Sequence, residues 1–152
     1  MKTIVISLNG VIDTHLYTNN FILNEENFIT DKYSVAAGKG TNVARFLRLL
    51  SVPFELFVLI GEENGEKYIE LLKKDNIDAT IFQCHGKTRE NISIHSSSTI
   101  ETRLCEDSFV AEKDSCEKLF NKALNKASSG DIVVFCGRFP KGIDSDFITA
   151  SL

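Results

Sequence analysis

Lys39 stands between two glycines, Gly38 and Gly40, and Asn42 follows shortly after, in the segment AAGKGTNVARFLRLL at residues 36–50. Glycine tolerates positive φ and lets a backbone approach a ligand closely, and the first turn of a helix leaves N–H groups without intrahelical partners. A cation and a carboxamide placed there can receive an anion or a hydroxyl, and Asn42 offers both a donor and an acceptor to a polyhydroxy ligand. An ordinary glycine-containing turn with a solvated lysine has the same spelling, and spacing alone does not separate the two. A second candidate is the loop GRFPKGI at residues 137–143, which carries Arg138 and follows an apolar run. In open α/β sheets, ligands bind at the carboxyl ends of strands.

Two nucleotide fingerprints are absent. The pattern G-x-x-x-x-G-K-[ST] fails because Lys39 is followed by Gly40 and the only glycine before Gly38 is Gly10, and G-x-G-x-x-G does not occur.

The elements that must position these residues follow from hydropathy patterning. Residues 3–8 form a short β-branched and apolar run, the pattern of a buried strand, ended by the turn signal Asn9-Gly10. Residues 13–33 are polar and mixed, and predict two loose strands that leave the main body. From Thr41, the residues Val43, Ala44, Leu47 and Leu50 fall at helical spacing with Arg45 and Arg48 opposite, and the helix stops near Pro53. A strand at 55–60, a helix at 66–74 and a strand at 79–84 continue the alternation expected of α/β layers on a parallel sheet. Residues 88–106 break it: two β-rich segments around a serine-rich turn, Ser96 to Ser98, predict an antiparallel hairpin that joins the earlier polar strands in a second, smaller sheet. A helix at about 113–128 carries a stripe of Cys116, Leu119, Phe120, Ala123, Leu124 and Ala127. The run at 132–136 reads as a central strand, and residues 145–152 as the first two turns of a helix.

The chain has 152 residues, the size of one domain. Its 43% hydrophobic and 25% charged residues are the balance of a chain that folds rather than of a disordered one. With a net charge of −4 and scattered Lys and Arg it has no basic field, so nucleic acid is not an expected partner. The amino terminus lacks the apolar core of a signal peptide, and no window approaches the roughly 18 apolar residues of a membrane span. A cytoplasmic location is the expectation. Cys84, Cys105, Cys116 and Cys136 form no CxxC pair and have no histidine at zinc-finger spacing, which predicts free, mostly buried thiols and no metal site. His15, His85 and His95 share no spacing and read as structural or surface residues.

Four landmarks in order resemble one family, the ribokinase-like, or PfkB, carbohydrate kinases. AGKGTNVA resembles its first signature, usually Gly-Gly-Lys-Gly-x-Asn-Val-Ala. SLNGVID at 7–13 resembles the Leu-Asn-Pro-x-x-Asp segment, KTRENI at 87–92 the Thr-Arg-x-Asn strand entry, and GRFPKG at 137–142 the Gly-Ser-Leu-Pro-x-Gly loop. Their form is most similar to the branch of fructose-1-phosphate and tagatose-6-phosphate kinases. The resemblance implies an α/β fold, a ribokinase-like three-layer core with a small β-sheet lid over the sugar, the lid segments lying at about 14–35 and 88–108. It implies that Asp13 accepts hydrogen bonds from sugar hydroxyls, that Gly38, Lys39 and Asn42 line the sugar pocket, and that Arg89 meets a phosphate already on the substrate, to which its fork is suited. A homodimer through the lid is a further implication.

The chain departs from the pattern at Gly10, where proline is usual, and at Ala37, where the first glycine is usual. Arg138 replaces a common serine, adding a charge that supplies an extra phosphate contact or alters the sugar accepted. The second lid strand lacks the usual Gly-Pro ending. The second family signature, a Gly-Ala-Gly-Asp step bearing the catalytic base and an anion hole, does not occur. The expectation is therefore an incomplete ribokinase-like domain over 1–152, the sugar-side portion of a kinase that uses ATP and Mg2+, with no catalytic residue of its own. A non-catalytic sugar-phosphate-binding or assembly module, and a kinase of an unphosphorylated sugar or nucleoside, are the competing expectations.

Overall fold

A computed structural model describes residues 1–97 and 99–151. Its first element, β1 (Thr3–Ser7), is buried along its whole length and is flanked by β4 (Phe54–Gly61) and β8 (Ile132–Phe135), with β5 (Ala79–Cys84) beyond β4. All these pairings are parallel. Side chains alternate across the sheet, so β1 and β4 feed two cores. Ile4, Ile6, Phe57 and Leu59 pack with Cys116, Leu119, Phe120 and Ala123 of α3 (Lys113–Leu124). Val5, Leu56, Val58 and Ile60 pack with Ala44 of α1 (Lys39–Leu49) and with Tyr68, Leu71 and Leu72 of α2 (Gly65–Lys74). Helices thus cover both faces, giving the predicted three layers.

The chain leaves this sheet through Asn9 and Gly10 and enters a second one. A Cβ on Gly10 would crowd the Ile60 side chain, so in this chain the crossing packs closely over β4. The second sheet has the order β3-β2-β6-β7, built from β2 (Val11–Thr18), β3 (Ile29–Ala37), β6 (Glu90–Ser96) and β7 (Thr99–Cys105). Both hairpins are antiparallel, and they are joined by the parallel pairing of β2 with β6. It is not the smaller sheet that the sequence predicts: it has as many strands as the first, because the polar segments pair over nearly all their length.

Other differences have local causes. Helix α1 begins at Lys39, not Thr41, because Gly38 at φ +107° takes the cap position and the glycine-lysine step enters the first turn. Leu50 is exposed just past the helix, outside the predicted buried stripe. Helix α3 ends at Leu124, where Lys126 and Ala127 tighten onto carbonyls three residues back. Strand β8 lies at the edge of the described sheet rather than in its centre, with Ile132 and Val133 exposed. Only Cys84 and Cys116 are buried; Cys136 is half-buried and Cys105 exposed, although all four thiols are free as expected. Burial pushes the Cys116 thiol up to about 12. The predicted turn at Ser96 to Ser98 includes Ser98, outside the described residues, as is Leu152 beyond α4 (Ser145–Ser151). Among the described residues no helix is long and apolar enough to cross a membrane.

Candidate functional site

The carboxyl ends of β1 and β8 open against one face of the second sheet, and a cavity of about 330 Å³ lies there. Asp13, Gly38, Lys39, Asn42, Arg89 and Arg138, the residues singled out in the sequence, all line it. Asn9, Asn91, Arg103 and Cys105, not singled out, line it as well. Four cationic side chains therefore surround a single carboxylate in a chain whose net charge is −4.

Each residue is held by its element. Gly38 is at positive φ, and a Cβ there would stand 2.9 Å from the Asn9 carbonyl oxygen, so the β3–α1 turn and the β1–β2 crossing close on each other only with glycine. Gly40 is equally constrained, since a Cβ would collide with the Ser7 side chain. Lys39 is exposed in the first turn of α1 and makes no ion pair among the described residues. Asn42 accepts a hydrogen bond at Oδ1 from Arg45 Nη1 at 2.8 Å. Arg45 in turn donates to Ala36 O and pairs with Asp75, tying α1 to β3 and to the end of α2.

Arg89 owes its place to its neighbour. Thr88 is fully buried, its hydroxyl donates to Gly61 O and accepts from Gly61 N, and its backbone N–H and C=O both bond the Asn64 carboxamide. The Arg89 carbonyl then accepts from Ile12 N at 3.0 Å. Backbone and threonine are fixed on both sides while the arginine side chain is left to the cavity.

Asp13 is the most constrained group. Its Oδ1 accepts from Asn91 Nδ2 at 2.8 Å and its Oδ2 from Arg103 Nη2 at 2.7 Å. The adjacent carboxylate pushes the Arg103 guanidinium further above its usual range. Five buried side-chain atoms lack a hydrogen-bond partner among the described residues, and three of them, Asn9 Nδ2, Arg89 Nε and Asn91 Oδ1, belong to cavity-lining residues. A buried polar atom left unpaired costs about 1–3 kcal/mol, so the site carries a local desolvation cost at these three residues. The lining suits an anion that also carries hydroxyls. Among the described residues its lining holds no histidine, and its one carboxylate is engaged at both oxygens.

Asn9 and Asn91 lie inside the quoted landmarks and could have been found there; Arg103 has no such signal and comes into view only through strand register. His15 and His95 form another pair invisible in sequence. Their Nδ1 and Nε2 are 2.9 Å apart on neighbouring strands β2 and β6, stacked with Tyr33 and Tyr17 respectively. His85 is exposed and pairs with Glu62, which raises its pKa.

Comparison with known proteins decides the family. The sequence profile of the "pfkB family carbohydrate kinase" matches residues 8–150. The chain belongs to the pfkB family of carbohydrate kinases. Among pfkB relatives, 1-phosphofructokinase of Haemophilus influenzae is 25% identical over 145 residues, covering 95% of this chain and 46% of that protein. Tagatose-6-phosphate kinase of Staphylococcus epidermidis is 25% identical over 146 residues, covering 96% of this chain and 47% of its own. Phosphofructokinase-2 from Escherichia coli, solved in complex with fructose-6-phosphate, superposes with a TM-score of 0.87 at 23% identity over 99% of this chain and 49% of that one, a likeness of fold. The chain thus spans about half the length of the pfkB relatives it matches.

Proposed function

We propose that this chain is the sugar-side portion of a cytoplasmic pfkB kinase that transfers a phosphoryl group from ATP to a hydroxymethyl group of a ketohexose phosphate, with fructose 1-phosphate the first candidate. The observation that carries the reading is the cavity itself: Lys39, Arg89, Arg103 and Arg138 around Asp13. Asp13 accepts from sugar hydroxyls; Gly38, Lys39 and Asn42 line the sugar; Arg89 meets the substrate's phosphate and Arg138 adds a second guanidinium to it. The second sheet serves as the lid, over about 14–35 and 88–108, and its His15, Tyr17, Tyr33 and His95 face is the surface through which two copies pair.

ATP and Mg2+ belong to the complete kinase. Among the described residues no three His, Cys, Asp or Glu side chains are grouped to hold a metal, and no Gly-Ala-Gly-Asp step occurs in the sequence, so the present residues do not fit Mg-ATP and no step is assigned to them. The test is ADP release with ATP, Mg2+ and fructose 1-phosphate or tagatose 6-phosphate, run beside a binding titration of the same sugars. Saturable sugar-phosphate binding without turnover is expected. Turnover by the chain alone contradicts the division of labour, and absence of binding at millimolar sugar contradicts the sugar-side assignment.

A further inference from the structure

Arg103 is on β7, the edge strand of the second sheet, while Asp13 is on β2, two strands away across β6. Register explains how they meet. Asp13 stands opposite Asn91, and Asn91 opposite Cys105; in the next row on the same face, His15 stands opposite Ser93 and Ser93 opposite Arg103. The side chain of Arg103 therefore crosses the position of Ser93, which is buried and small enough to let the guanidinium pass, and reaches the carboxylate diagonally. The other oxygen of Asp13 is taken by Asn91 from the strand between them. Two donors on two strands thus fix the plane of one carboxylate, and the guanidinium that does so also lines the cavity and is about half exposed, at 46%.

We infer that Arg103 is a positioning and specificity-determining residue: it holds Asp13 in the orientation that reads a sugar hydroxyl, while its remaining N–H groups face the ligand's anionic oxygens. This rests on the proposed sugar-phosphate reading of the same cavity. Arginine suits the task because its planar fork presents several donors in fixed directions, so one guanidinium serves a carboxylate and a ligand together. A ligand with a hydroxyl near Asp13 and an anion near Arg103 uses both ends of the arrangement. Fructose, lacking the anion, uses only one.

The test is a double-mutant cycle on fructose 1-phosphate affinity, measured by calorimetry on the full chain with Asp13→Asn, Arg103→Met and the double variant. Each single change is expected to weaken binding about tenfold or more, the size of a lost charge-assisted hydrogen bond. The double variant is expected to fall clearly short of the product of the two losses, because the part of the Arg103 effect that acts through Asp13 is already gone once Asp13 is replaced. Arg103→Lys keeps the charge without the fork and should recover part of the affinity, which guards against misreading a folding defect in the methionine variant. If the two losses multiply, or if Arg103→Met binds as well as wild type, Arg103 does not position Asp13 and the inference falls while the sugar-phosphate reading stands. If the wild-type chain binds no sugar phosphate, both fall together.

Discussion

Among the described residues the two sheets have equal numbers of strands and opposite characters. In the parallel sheet, β1 and the core of β4 are buried on both faces, and their alternating side chains feed two cores. In the second sheet, β2 is buried only at Val11, Ile12 and Thr14 and β6 only at Asn91 and Ser93, β3 is largely exposed, and the face toward the cavity carries Asp13, Asn91, Arg103 and Cys105. One sheet supplies rigidity and little chemistry; the other supplies chemistry on a frame that few apolar contacts hold. The site falls where they meet, so that Arg89 and Arg138 from the ends of the body face Asp13 and Arg103 from the second sheet.

The sharpest way to break this division is to damage each sheet in turn. Phe57→Ala, in the fully buried centre of β4, should lower unfolding stability by about 3–5 kcal/mol in a denaturant titration. Leu104→Ala on β7, where the side chain is exposed, should change it by no more than about 0.5 kcal/mol. Comparable losses at the two positions would mean the sheets form a single core.

Chemistry should respond in the opposite sense. Arg89→Met is expected to weaken fructose 1-phosphate binding by about ten- to a hundredfold, the loss of one guanidinium–phosphate contact, with the melting temperature nearly unchanged. A large fall in melting temperature would instead place Arg89 among the structural residues. Gly40→Ala tests the joint between the regions, since its Cβ collides with Ser7 at the end of β1. A cost of about 1–3 kcal/mol is expected by differential scanning calorimetry.

The smallest effect is the pH dependence of a tie between α2 and the second sheet. Burial opposes ionisation of Glu90, but hydrogen bonds from Lys67 and Asn64 and the charges of Lys67 and Lys87 outweigh it and hold the carboxyl below its ordinary range. A carboxyl lowered on folding contributes stability above its unfolded pKa, and that contribution disappears as pH falls through the folded value. Because Lys67 is well exposed, the contribution is about 0.5 kcal/mol or less. Glu90→Gln should flatten the acid limb of the stability profile by that amount, measured by urea titration between pH 6 and about pH 3; an unchanged limb would show that the tie contributes nothing.

The parallel sheet is the part most legible in sequence, because strands buried on both faces spell continuous β-branched and apolar runs, as at Thr3–Ser7. The edge position of β8 was not, since a run such as IVVF states that a strand is apolar but not which neighbours it has. At the site, Lys39, Asn42, Arg89 and Arg138 sit in short motifs whose glycines, threonine and proline fix the backbone locally, and those motifs are visible. Arg103 and the His15–His95 pair are set by register between strands far apart in sequence, and a polar, alternating strand gives no sign of which residue it will stand beside.

On the proposed function, the cavity between the sheets recognises a sugar by its phosphate and its hydroxyls together. Calorimetric titration of the chain with fructose 1-phosphate and, separately, with fructose tests it most directly. Saturable heat with fructose 1-phosphate, and affinity for fructose weaker by about tenfold or more, is the predicted result. Equal affinity for the two sugars, or no heat from fructose 1-phosphate at millimolar concentration, would contradict it.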